Sequence, residues 1–190
     1  MTVGEAQLEM RIGLLGGFMG QLVSGLLWFA SASFATWGSQ QSAIIFLVVT
    51  GFFIYPLTVL GLRLIGHRAS ASADNPLNAL GMQAAFVLPL SLLVVGAAAL
   101  YRIEWFYPAF MIVLGAHYLP FVTLYGMRIF YVLAAILVAA GVVLALYVRM
   151  PFSTGAWLTA TVLVAFAFLG RYRVSRELRE SGSASLPSAS

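Results

Sequence analysis

IFYVLAAILVAAGVVLALYV, residues 129–148, carries no charged side chain. A helix rises about 1.5 Å per residue, so roughly 20 apolar residues cross a hydrocarbon core. This stretch is long enough. It lacks the period-two alternation of a half-buried strand, and in lipid a helix satisfies its own backbone groups. Similar apolar segments fill the rest of the chain, at 12–36, 42–65, 76–100, 105–127 and 153–170, and none has Asp, Glu, Lys or Arg in its middle. Connections are short, which predicts antiparallel neighbours. The expected fold class is all-α: a polytopic membrane bundle of six transmembrane helices. Residues 1–11 are then a short cytoplasmic start, 12–170 the membrane domain, and 171–190 a basic tail.

Composition agrees. Hydrophobic residues make up 62% of the chain and charged residues 8%, where a soluble domain has roughly a quarter charged. Mean hydropathy is +0.97. There is no cysteine, so disulfides, thiolate metal sites and Cys nucleophiles are excluded. All ten cations are Arg, which removes Lys Schiff-base chemistry. Two His are too few for an all-His metal site. No metal or cofactor is expected.

The pI near 9.8 does not point to nucleic acid, because the Arg residues sit at segment ends. With a cytoplasmic N-terminus, the inside holds Arg11, Arg63, Arg68, Arg128, Arg171, Arg173, Arg176 and Arg179, and the outside Arg102 and Arg149. This bias predicts a plasma (inner) membrane protein with both termini cytoplasmic. Trp37, Trp105 and Trp157 fall near outer segment ends, where amphipathic rings settle. Ala30-Ser31-Ala32 loosely resembles a cleavage site. But the preceding apolar stretch is long and its flank acidic, so the segment reads as a retained helix.

Small residues in the first segment (Gly13, Gly16, Gly17, Gly20, Ser24, Ser31) and the fifth (Ala134, Ala135, Ala139, Gly141, Ala145) allow close helix approach. Packing within the chain is the main reading, and a homo-oligomer contact the other. Pro56, Pro89 and Pro120 are expected to interrupt helices and free the carbonyls of Phe52, Ala85 and Ala116. Pro76 and Pro108 suit first turns, with Asn75 as an N-cap. Thr58-Val59-Leu60-Gly61-Leu62-Arg63 echoes Thr123-Leu124-Tyr125-Gly126-Met127-Arg128, which reads as a parallel repeat or as convergent helix-end chemistry. Residues 171–180 are expected to extend the last helix into water. There Arg171, Arg173 and Arg176 are either a stop-transfer anchor or contacts to anionic lipid headgroups. Residues 181–190 have the composition of a disordered tail.

Asn75-Pro76-Leu77 with Leu80-Gly81, and Gly115-Ala116-His117-Tyr118-Leu119-Pro120, resemble a family of bacterial integral membrane proteins of unknown function. The specific similarity covers about residues 75–128. It implies a multi-pass membrane protein and supplies no activity or site residue.

His117 is the ionisable group nearest a midplane, and neutral imidazole is the expected form there. On the helical ruler it lies roughly 15 Å from the inner end of its segment, and Gln21, Tyr55 and Gln83 about 10 to 15 Å. The expected site is therefore one polar layer of His117, Gln83, Gln21 and Tyr55 in the inner half of the bundle. Such layers hold ligands in broken-helix transporters, or serve as interhelical glue. No carboxylate shares this depth, which disfavours a metal or a proton pump. The expected function is a small-solute carrier or ligand-binding membrane protein. The alternatives are a non-catalytic assembly subunit and, further behind, an intramembrane enzyme.

Overall fold

The computed structural model describes residues 1–67 and 71–184, and side chains through residue 180. Arg68 and residues 185–190, on which two expectations rest, lie outside them. All regular structure among the described residues is helical, as the apolar runs predict. Five helices are long and apolar enough to cross a membrane, and a bent pair makes a sixth if it counts as one span.

The first expected helix is broken. Helix α1 covers Val3–Gly13 and opens on a Thr2 capping box with Glu5. The chain then turns through Leu15, Gly16 and Gly17, at φ 51°, 62° and 79°, before α2 runs over Phe18–Trp37. Glycine takes such φ freely, whereas leucine is strained there. Gly13 and Gly17 therefore belong to a break, not to the interior of a spanning helix.

The second segment is broken too. Helices α3 (Gln40–Gly51) and α4 (Ile54–Leu64) meet at 65°. Pro56 interrupts the segment as expected: it falls in the first turn of α4, and the break lies at Phe52 and Phe53, four and three residues upstream. The pair nevertheless follows α2 along its length. The Ser31 hydroxyl donates to the Ala43 carbonyl over 3.0 Å, while Gly20 faces Thr58 and Leu62 packs with Phe18 and Met19. A hairpin turning back at the bend could not reach both ends of α2.

Helices α5 (Asn78–Tyr101) and α6 (Phe106–Tyr125) continue through Pro89 and Pro120. Helices α7 (Ile129–Leu146) and α8 (Thr154–Ala184) complete the bundle. Helix α8 carries on through residues 181–184, into the tail expected to be disordered. Two close pairs define the packing. On α6 and α7, a Cβ on Gly115 would stand 2.9 Å from the Ala134 carbonyl, and one on Gly141 2.7 Å from the Pro108 carbonyl. On α2 and α8, a Cβ on Gly25 would meet Val164 at 2.7 Å. Small residues let these backbones approach. The fifth segment uses only part of its set: Ala134 and Gly141 are buried, while Ala135 and Ala139 face outward. The sequence echo does not carry one geometry, since Gly61 lies inside α4 and Gly126 is a left-handed cap after α6.

Val174 beside Gly16 and the Arg11–Glu177 ion pair bring the end of α8 to the base of α2. This basal end collects Arg11, Arg63 and Arg128 near helix ends, and Arg171, Arg173, Arg176 and Arg179 along the last part of α8. The distal end has Arg102 and Arg149, with Trp37 and Trp157 in edge contact at 6.0 Å.

Candidate functional site

Helices α2 and α6 run antiparallel, and two contacts fix their register. Near the distal end, Trp28 packs on Tyr107 and Phe110 at 5.7 and 5.1 Å, and the Ser31 and Tyr107 hydroxyls lie 2.7 Å apart. At the base, a Cβ on Gly17 would stand 3.2 Å from the Tyr125 ring. Both helices rise about 1.5 Å per residue, so these anchors set Gln21 level with the turn 117–121 of α6, which holds His117 and Tyr118. About 3.6 residues make a turn, which places Gly17, Gln21, Ser24 and Trp28 on one stripe of α2. Tyr107, Leu114, Tyr118 and Tyr125 form the matching stripe of α6.

The basal half of this seam is polar and neutral. Gln21, Ser24, Tyr118 and Tyr125 are 4%, 5%, 5% and 3% exposed. None of these side chains has a hydrogen-bond partner among the described residues. Yet the sealed, unpartnered side-chain atoms among the described residues are Arg11 Nε on α1 and His117 Nδ1, and none belongs to these four residues. The amide and hydroxyls of the seam therefore keep a sliver of open space beside them. Buried polar groups in native proteins nearly always find a partner. No described residue supplies one here.

His117 stands beside the seam, 91% buried, its ring edge-on to Tyr118 and Phe121 at 5.5 and 5.0 Å. Its Nδ1 is sealed and has no hydrogen-bond partner among the described residues.

The four side chains expected to form one layer do not converge. Gln21 and His117 are buried at one level. Tyr55 is 76% exposed, and Gln83 is also on the outer surface. The break at residues 14–17 also shortens the ruler for Gln21, which lies one turn above the base of α2. Ser24, Tyr118 and Tyr125 take the places of the other two. Their signal was the i, i+7 spacing of Tyr118 and Tyr125, in phase with Tyr107.

A second polar cluster holds α1 at the base. The Glu9 carboxylate accepts from the Ser72 N–H (2.6 Å), the Ser72 hydroxyl (3.2 Å) and the Asn75 amide (2.8 Å). The Ser72 N–H, then Asn75 and the Ser72 hydroxyl, hold its pKa below the ordinary carboxylate value. Asn75 also donates to the Ala6 carbonyl and accepts from the Leu77 N–H. It is a turn residue that docks α1, not the expected N-cap, since α5 starts at Asn78. Gln7 donates to the Thr123 carbonyl at the end of α6. Among the described residues, no three His, Asp or Glu gather as metal ligands.

A family model matches residues 3–172. The chain belongs to DUF7010, a family of unknown function. The match reaches well beyond residues 75–128, into α1 and most of α8. It thus takes in both stripes of the seam and the Glu9 cluster. No curated protein and no solved structure matches the chain.

Proposed function

We propose that this protein is a multi-pass protein of the plasma membrane, with both termini cytoplasmic, and that its basal seam binds and passes a small neutral solute. One observation carries the solute reading: Gln21, Ser24, Tyr118 and Tyr125 are buried, lie on the α2 and α6 stripes, and have no hydrogen-bond partner among the described residues. The ligand class follows from the donor set. An amide, hydroxyls and a neutral imidazole offer hydrogen bonds and no charge, so an ion would enter without a counter-charge. The segregation of Arg between the two ends supports the orientation. Of the arginines offered to anionic lipid, Arg176 is held by Glu180 at 2.7 Å and Arg171 lies over the Phe18 ring at 4.9 Å. Arg173 is exposed beside them. These three remain the proposed headgroup contacts.

An assembly-subunit reading draws on α5, whose Leu90, Leu93 and Val94 are 68%, 79% and 66% exposed. Lipid covers such a face equally well, so the seam decides. The test is stopped-flow light scattering on proteoliposomes challenged with glycerol or urea. The wild type should equilibrate several-fold faster than protein-free vesicles. Gln21→Leu should remove the excess, and Gln83→Leu should leave it intact. Equal rates with and without protein would overturn the solute reading.

A further inference from the structure

We infer that α1 is a hinged gate over the basal mouth of the seam, latched by Glu9 and Gln7. This rests on reading the seam as a solute site. Tyr125 and Gly17 form the base of the seam. Directly beneath, the Gln7 Cβ lies 3.5 Å from where a Gly126 Cβ would be, and the Gln7 amide donates to Thr123 over 2.8 Å. Met10 Cε reaches to 3.9 Å from the same point on Gly81 of α5. Helix α1 thus spans from the base of α2 to the ends of α5 and α6.

The attachment is polar and peripheral. Only Ala6, Met10 and Gly13 of α1 are buried, while Val3 and Leu8 are 66% and 44% exposed. What fixes the helix is the Glu9 cluster, Gln7 on Thr123, and Arg11 on Glu177 at 3.1 Å. A cleft runs along each side of it. One is lined by Glu9, Ile12, Gly13, Ala71 and Ser72, the other by Leu8, Arg11, Ile12, Val174, Glu177 and Leu178. An element with few apolar contacts and open flanks belongs to the low-stability part of a fold.

The hinge is the run Leu15, Gly16, Gly17, all at positive φ. Leucine in this region is strained and stays there only while its surroundings hold it. Hinges are a few terminal residues that absorb large φ/ψ changes. Relaxing Leu15 would swing α1 away while α2 keeps its packing on α8 through Gly25.

The experiment uses the natural absence of cysteine. Ser24→Cys reports on the seam in inside-out membrane vesicles treated with N-ethylmaleimide. Glu9→Gln and Gln7→Ala, singly and together, weaken the latch. The gate predicts slow modification in the latched protein and about tenfold faster modification in the double variant. Equal modification in both would overturn the gate and leave the solute site standing. No modification in any variant would overturn both. A second arm closes the gate instead of weakening its latch. Gly126 stands at φ 64°, where a cysteine is strained, so wild-type glycerol flux of the reduced double-cysteine variant is checked first. In Gln7→Cys/Gly126→Cys the Cβ separation suits a disulfide. Oxidation should suppress glycerol flux, and reduction should restore it. Unchanged flux on verified cross-linking would also overturn the gate.

Discussion

The two halves of the α2–α6 seam use the same chemical groups to opposite ends. In the distal half, the Ser31 and Tyr107 hydroxyls bond each other, Ser31 donates to Ala43, and Trp28 fills the remaining space at 2% exposure. In the basal half, Ser24 lies on the α2 stripe, and neither it nor Tyr118 has a hydrogen-bond partner among the described residues. A buried hydroxyl with a partner is structure. One without a partner is a standing demand for a ligand or water. Type and burial alone do not separate the two roles; the hydrogen-bond inventory does.

The largest effect should come from opening the closed half. Trp28→Ala leaves a void against Tyr107 and Phe110 and should destabilise by about 3–5 kcal/mol, read by thermal unfolding in detergent. A loss under about 1 kcal/mol would mean that the distal half is loosely packed as well. The basal half should respond in reverse. Ser24→Ala removes a hydroxyl that holds nothing, so stability should stay within about 0.5 kcal/mol while solute flux falls. A large loss of stability there would make Ser24 glue.

The gate adds a pH dependence confined to α1. The folded pKa of Glu9 is depressed below its ordinary 4.5. Its contribution to docking is therefore complete above about that value and is lost as pH falls through the lower folded value. Protease cleavage after Arg11 should accelerate on acidification below pH 4.5. Glu9→Gln should abolish that dependence. The other charged or titratable groups around it are Arg11 on the same helix, Glu177 on α8, Asp74 beside Asn75, and His67, whose ring lies 3.1 Å from the Gly13 carbonyl. The smallest effect belongs to Gln83→Leu and Tyr55→Phe. Both side chains face outward, so stability and flux should be nearly unchanged.

This contrast also shows how far the sequence could be read. Uncharged runs of spanning length made the helices legible, and Arg placement separated the two ends. Gln21 and His117 were legible as buried polar groups because so few polar residues interrupt the runs. The facing of Tyr55 and Gln83 was not. Both faces of a membrane helix are apolar, so hydropathy does not tell inside from outside. The break at residues 14–17 was also hidden, because a left-handed Leu15 is held by docking of α1 on Asn75, Thr123 and Glu177, all remote in sequence. Glycine at 16 and 17 reads equally well as helix packing. Asn75-Pro76-Leu77 carried more than its local turn, since the Asn75 side chain reaches Ala6 and Glu9 of α1.

The most direct test of the division of the seam is a matched pair of hydroxyl deletions on one helix face. Tyr107→Phe and Tyr118→Phe lie three turns apart on α6 and remove the same atom from equally buried rings. Thermal unfolding of the two variants in one detergent is the measurement. Tyr107→Phe should lose about 0.6 to 1.7 kcal/mol, the range for interhelical hydrogen bonds in membranes. Tyr118→Phe should be neutral or stabilising. Equal losses, or a larger one at Tyr118, would contradict the account.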